Sequence, residues 1–133
     1  MMRCTLAILF LFFSPATTLA EGCGTLLATL DGSGGFKDST CSDSLTTDGP
    51  TRHCRFDHTY RAVQAATQFE YLARLIPQCL PGATLRPKTP GVNHPDTHLE
   101  RIFDVEGGQI TVSLKDKSQL GKTLVFLQVT RRN

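Results

Sequence analysis

The sequence predicts an α+β fold in which one long helix packs on a three- or four-stranded antiparallel sheet. Apolar residues recur at helical spacing over 57–80, and from residue 83 the apolar period becomes two. A segment rich in Gly, Ser, Thr and Asp precedes the helix. A helical period followed by several stretches of period two is typical of a helix covering an antiparallel meander.

The first twenty residues have the pattern of a secretory signal peptide. Arg3 is the only charged residue among them, and an unbroken apolar run covers Leu6 to Phe13. This run is shorter than the about 20 apolar residues needed to span a bilayer, and Thr18 and Ala20 supply small residues near a cleavage point. We expect cleavage after Ala20 and export to the periplasm or the extracellular space. The mature chain, 21–133, would be one small domain without a transmembrane segment.

The predicted mature chain is nearly neutral. Of 14 basic residues only Arg3 is lost with the signal peptide, and all 12 acidic residues remain, which leaves a net charge of +1 with neutral histidines. Near-neutrality argues against binding of nucleic acid through a broad basic surface. We expect a partner that is another protein, and no cofactor.

Four cysteines remain after cleavage: Cys23, Cys41, Cys54 and Cys79. An even number in a short exported chain predicts two disulfides. A straight helix of about 20 residues between Cys54 and Cys79 would hold them about 30 Å apart, whereas bridged Cα atoms lie within about 7 Å. This excludes Cys54–Cys79 and its complement Cys23–Cys41. Of the two pairings left, we prefer Cys41–Cys54 with Cys23–Cys79.

Residues 21–56 are expected to form a loop-rich segment stapled by these disulfides. The stretch DGSGGFKDSTCSDSLTTDGP contains few apolar side chains. Such a composition buries too little apolar surface to order itself by hydrophobicity alone.

The helix is predicted over 57–80. Asp57 or Thr59 could cap its start, and Pro81-Gly82 would end it. Its apolar positions recur three or four residues apart, at Ala62, Ala65, Ala66, Phe69, Leu72, Ala73, Ile76 and Leu80.

Antiparallel strands are predicted over 83–132. An edge strand near Ala83–Lys88 is bounded by prolines, and Glu106-Gly107-Gly108 forms a tight hairpin connection. The run Leu124–Val129 is apolar at nearly every position, which predicts a central strand with Phe126 in its buried middle.

The stretch GVNHPDTH holds two histidines and an aspartate close together. As a metal site it would use His94, Asp96 and His98, with a further ligand from elsewhere, such as His53 or His58. Asn-His-Pro-Asp is also turn chemistry, and Pro95 disfavours the helix that would place both histidines on one face. We therefore predict an exposed turn and no metal site.

Two further sets of side chains are candidates for function. His53 and His58, with a lysine such as Lys115, could carry acid–base chemistry on a phosphodiester. Lys115, Lys117, Arg131 and Arg132 could form a cationic patch for an acidic partner, although charges at strand ends are usually solvated.

The function predicted from these residues is a small, non-enzymatic, exported module that binds another protein, such as an inhibitor or accessory protein of the cell envelope. We assign no catalytic residue. The alternative is a small secreted hydrolase that uses histidine acid–base chemistry, with or without a metal.

Overall fold

The computed structural model describes residues 16–88 and 98–132, with the backbone alone described at 16–20. Within these ranges the chain forms two helices and one six-stranded antiparallel sheet. The elements in chain order are α1 (Ala16–Asp31), β1 (Ser39–Thr46), β2 (Gly49–Thr59), α2 (Val63–Cys79), β3 (Thr84–Leu85), β4 (His98–Val105), β5 (Gly108–Lys117) and β6 (Lys122–Arg131). The strand order is β1-β2-β6-β5-β4-β3.

The predicted fold class, with one helix on a three- or four-stranded sheet, is wrong. The segment expected as a loop over 21–56 contains most of α1 and the hairpin of β1 and β2. The hairpin extends the meander because β2 pairs with β6 from Thr51–Thr130 to Thr59–Lys122. Its strands were not recognised because their polar residues suggested a loop, although buried Cys54 and Phe56 alternate with exposed neighbours.

The long helix is shorter than the predicted 57–80. Asp57 and Thr59, expected to cap it, belong instead to β2, and Ala62 stands at the N-cap without a side-chain hydrogen bond. The helix continues through Pro77 and ends at Cys79, followed by a hydrogen bond from the Leu80 amide to the Ile76 carbonyl.

The meander of β4, β5 and β6 follows the two-residue alternation in the sequence. Val105 pairs with Gly108, so Glu106 and Gly107 form a two-residue connection. Gly107 has φ +75°, a left-handed conformation that glycine adopts without a Cβ clash. β3 covers only Thr84–Leu85, at the edge of the sheet.

Both described helices pack on one face of the sheet and enclose the core there. The buried core residues are Leu26 of α1; Ala65, Phe69, Leu72, Leu75 and Ile76 of α2; and Cys54, Phe56, Phe103, Ile110, Val112, Leu114, Val125, Leu127 and Val129 of the strands. Phe126, expected in the buried middle, is only half-buried, because side chains alternate along a strand and its neighbours Val125 and Leu127 face the helices.

Two disulfides join elements of the described chain. Cys23–Cys79 ties α1 to the last residue of α2, and Cys41–Cys54 bridges directly opposite residues of β1 and β2. This is the pairing preferred from the sequence. The predicted cleavage point after Ala20 falls within the backbone of α1, and the signal peptide itself stays a prediction.

Candidate functional site

α1 and α2 both lie on one face of the sheet, so within the described residues no helix covers the other face. We call it the open face. Its side chains follow from the strand register and from the two-residue period of a strand. They include His53, Arg55 and Asp57 of β2; Lys122, Leu124, Phe126 and Gln128 of β6; Thr111, Ser113, Lys115 and Lys117 of β5; and His98, Glu100 and Ile102 of β4. Of these, Ser113 and Leu124 are buried.

Phe126 lies at the centre of the open face. The His53 imidazole stacks on its ring, with ring centroids 4.8 Å apart and planes inclined by 17°. The Lys115 ammonium lies 5.6 Å from the Phe126 ring centroid, within the range of a cation–π contact. Arg55 is directly opposite Phe126 in the register. Three basic side chains therefore surround one partly exposed aromatic ring.

Positive charge exceeds negative charge around this ring. Asp57 is shared by Arg55, at 2.8 Å, and Lys122, at 3.0 Å. Lys115 and Lys117 have no carboxylate within ion-pair distance among the residues the structure describes. One carboxylate thus balances one of two cations, and the two lysines remain available to an anion.

The titration of two open-face groups is shifted by this surrounding charge. The pKa of His53 is lowered below 6.5, first by partial burial and then by the positive charges of Lys115 and Arg55. The pKa of Asp57 is lowered because Lys122 donates a hydrogen bond to its carboxylate and Arg55 lies beside it. At neutral pH the imidazole is therefore uncharged and the carboxylate is ionised.

The structure separates the two histidines considered for acid–base chemistry. His53 and Lys115 both lie beside Phe126 on the open face. His58 lies on the opposite face of β2, where its Nε2 makes a hydrogen bond with Gln68 of α2. The two imidazoles therefore do not meet at one site.

The predicted cationic patch is divided between opposite ends of the sheet. Lys115 lies seven residues along β5 from Gly108, the residue opposite Arg131. That separation is about 24 Å at ~3.4 Å per residue. Arg131 donates a hydrogen bond to the Leu30 carbonyl at the end of α1, and Arg132 lies 3.4 Å from Asp104. Only the lysine pair belongs beside the open face.

Of the three candidate metal ligands in GVNHPDTH, the structure describes His98 alone. His98 is the exposed first residue of β4 and is paired with Lys115 across the strands. His94 and Asp96 lie outside the described residues. Within the ranges that are described, no group of three His, Cys, Asp or Glu side chains is arranged to hold a metal ion.

A concavity of about 200 Å³ lies on the other face, between the end of α1 and strands β1, β2 and β6. Its two arginines already bind groups of the protein, although Arg52 Nε has no hydrogen-bond partner within the described residues. Arg52 makes hydrogen bonds of 3.0 and 3.1 Å with the Asp43 carboxylate, and Arg131 binds the Leu30 carbonyl. The concavity therefore lies in the contact between α1 and the sheet.

Sequence reasoning missed Phe126 and Arg55 as surface residues of a shared site. A signal was present, since His53, Arg55 and Asp57 alternate with Cys54 and Phe56 and so indicate a two-faced strand.

Comparison of the chain with known protein families, with curated proteins and with solved structures finds no match. No helix in the described ranges is both long enough and apolar enough to cross a membrane.

Proposed function

We propose that the chain is an exported, non-enzymatic module that binds another protein through the open face. The observation that carries this proposal is the partly exposed Phe126 at the centre of that face, bracketed by His53 and Lys115. Solvated faces of antiparallel sheets are usually polar, whereas aromatic and arginine side chains are enriched where proteins meet.

The surroundings of Phe126 also suit a protein contact. Ile102, which is half-buried on β4, adds apolar surface to the same face, and charged residues such as Arg55 and Glu100 lie around it. An apolar centre within a polar rim is the usual arrangement of an interface. The separation of His53 from His58 favours this proposal over the alternative of a histidine-based hydrolase.

Export is the second part of the proposal. Two disulfides and the lack of a membrane-crossing helix among the described residues are compatible with an exported protein. The predicted signal peptide at 1–20 would direct the chain to export. Amino-terminal sequencing of the protein recovered outside the cytoplasm should begin at Glu21, and recovery of the uncleaved chain inside the cell alone would contradict export.

Site-specific photo-crosslinking tests the binding surface. A photoreactive residue at Gln128, beside His53 on the open face, should give a discrete adduct with one protein in cells that produce the chain. The control position is Val63, whose side chain is 77% exposed at the start of α2. Adducts from position 63 without any from position 128, or none from either, would refute the open face as the binding surface.

A further inference from the structure

We propose that the open face recognises an extended acidic segment of the partner, with an apolar side chain between two carboxylates. This inference rests on the proposed function and names the chemistry of its partner. The carboxylates would contact Arg55 and Lys115, and the apolar side chain would cover Phe126.

The positive charge on the open face favours an acidic segment of the partner. Arg55 and Lys115 lie beside Phe126, and Lys117 and Lys122 lie further along the same face. Asp57 is the carboxylate that pairs with Arg55 and Lys122. Glu100, opposite Ser113, stands at the β4 end of the same cross-strand row as Arg55 and Phe126. Its negative charge disfavours a carboxylate over β4, which leaves Arg55 of β2 and Lys115 of β5 as the contacts for the acidic groups.

The strand register sets the spacing of the two carboxylates. Arg55 lies opposite Phe126, which lies opposite Ser113, and Lys115 is two residues further along β5. With about 4.8 Å between strands and about 6.8 Å for two residues, the Cα atoms of Arg55 and Lys115 lie about 12 Å apart. In an extended segment, side chains four residues apart on one face are separated by about 13 Å. The matching pattern is acidic–x–apolar–x–acidic.

The middle position of this pattern falls on apolar surface. The midpoint between Arg55 and Lys115 lies on β6 between Phe126 and Leu124. Leu124 is buried, so Phe126 supplies the accessible apolar surface at this point. An apolar side chain placed there removes further ring surface from water, which adds to the attraction between the charges. The pattern therefore requires both kinds of side chain.

His53 couples this recognition to pH. The charged groups that face its ring are Lys115 of β5 and Arg55 of its own strand, while its neighbours on β1 and β6, Ser42 and Gln128, do not titrate. A carboxylate bound among these cations offsets their repulsion and favours the protonated imidazole. Binding then takes up a proton, so affinity rises as the pH falls through the titration range of His53.

The test measures binding of a fluorescein-labelled peptide, Ser-Glu-Thr-Leu-Thr-Glu-Ser, by fluorescence anisotropy at low salt. Two comparison peptides replace both Glu by Gln, or Leu by Ser. The full chain is compared with Lys115→Gln and with the matched control Lys37→Gln, an exposed lysine outside the open face. Thermal unfolding establishes that each variant is folded.

We expect the Glu-Leu-Glu peptide to bind more tightly than either comparison peptide. Lys115→Gln should weaken binding about fivefold, as for the loss of one rim charge contact, while Lys37→Gln leaves it unchanged. Binding should strengthen between pH 7.5 and pH 5.5, and His53→Gln should reduce this dependence more than His98→Gln does, because His53 stacks on Phe126 whereas His98 lies beyond Lys115 on β4.

Equal binding of the Gln peptide, equal losses in both lysine variants, or no binding of any peptide overturns the inference. These outcomes are distinct from a failure of the proposed function, because a crosslink through position 128 would still assign the open face to a partner of other chemistry. Conversely, adducts through position 63 alone would refute the proposed function directly.

Discussion

At the scale of single residues, the two faces of the sheet give two phenylalanines different roles. Phe69 of α2 is fully buried against the helix side of the sheet, whereas Phe126 is half-buried on the open face. The helical spacing of α2 identified Phe69 as core. The run Leu124–Val129 concealed the role of Phe126, because a strand that is apolar at nearly every position does not reveal which of its faces is covered.

The two phenylalanines should therefore differ in their contribution to stability. Phe69→Ala creates a cavity in the core and should cost about 3–5 kcal/mol of unfolding free energy. Phe126→Ala removes a partly exposed ring and should cost less, about 1–2 kcal/mol. Urea unfolding of both variants measures the difference, and equal losses would show that Phe126 is buried as deeply as Phe69.

His53 should make stability depend on pH. Its folded-state pKa is lowered below 6.5 by partial burial and by Lys115 and Arg55, so the unfolded chain binds its proton more readily. The destabilising contribution is absent above about pH 6.5 and grows as the pH falls toward the folded-state pKa. Stability therefore decreases on acidification through this window.

The unfolding free energy of His53→Gln should fall less than that of the wild-type chain between pH 7.5 and pH 5.5. Urea unfolding at both pH values measures the two decreases. Asp57 and Asp104 also have lowered pKa values, but these carboxylates take up protons below about pH 3.8. They therefore do not change the unfolding free energy between pH 7.5 and pH 5.5. Parallel decreases in both proteins would contradict the assigned role of His53.

At the scale of elements, the sequence predicted those whose periodicity is strong. The helix over much of 57–80 and the strands after residue 98 have regular apolar spacing, and both were found. α1 was missed because Gly22 and Gly24 lower helix propensity, although Cys23, Leu26 and Leu30 recur at helical spacing. A Cβ at Gly22 would lie 2.7 Å from the Tyr71 hydroxyl, so this glycine permits the close approach of α1 to α2.

The two disulfides should differ in their contribution to stability. Cys23–Cys79 closes a sequence separation of 56 residues and Cys41–Cys54 one of 13. Chain entropy assigns about 4 kcal/mol to the longer loop and about 3 kcal/mol to the shorter one. Replacement of each pair by serine, followed by chemical unfolding, should show the larger loss for Cys23–Cys79. A larger loss for Cys41–Cys54 would mean that the attachment of α1 contributes little.

At the scale of the whole molecule, the open face depends on strand pairings between distant parts of the chain. The sequence suggested His53 and Lys115 together only as acid–base candidates, without Phe126 or Arg55. His53 and Lys115 meet at Phe126 because the β1–β2 hairpin joins the meander along β6. No local pattern specifies that β2 pairs with a strand about 70 residues later, so the site could not be assembled without the sheet order.

A fluorine label on each side of the sheet tests the binding role of the open face most directly. 4-Fluorophenylalanine is placed at position 126 in one sample and at position 69 in another, and the protein captured through position 128 is added. Fluorine NMR should show a changed resonance for the label at 126 and an unchanged resonance for the label at 69. A change at 69 with none at 126, under conditions where the complex forms, would contradict binding through the open face.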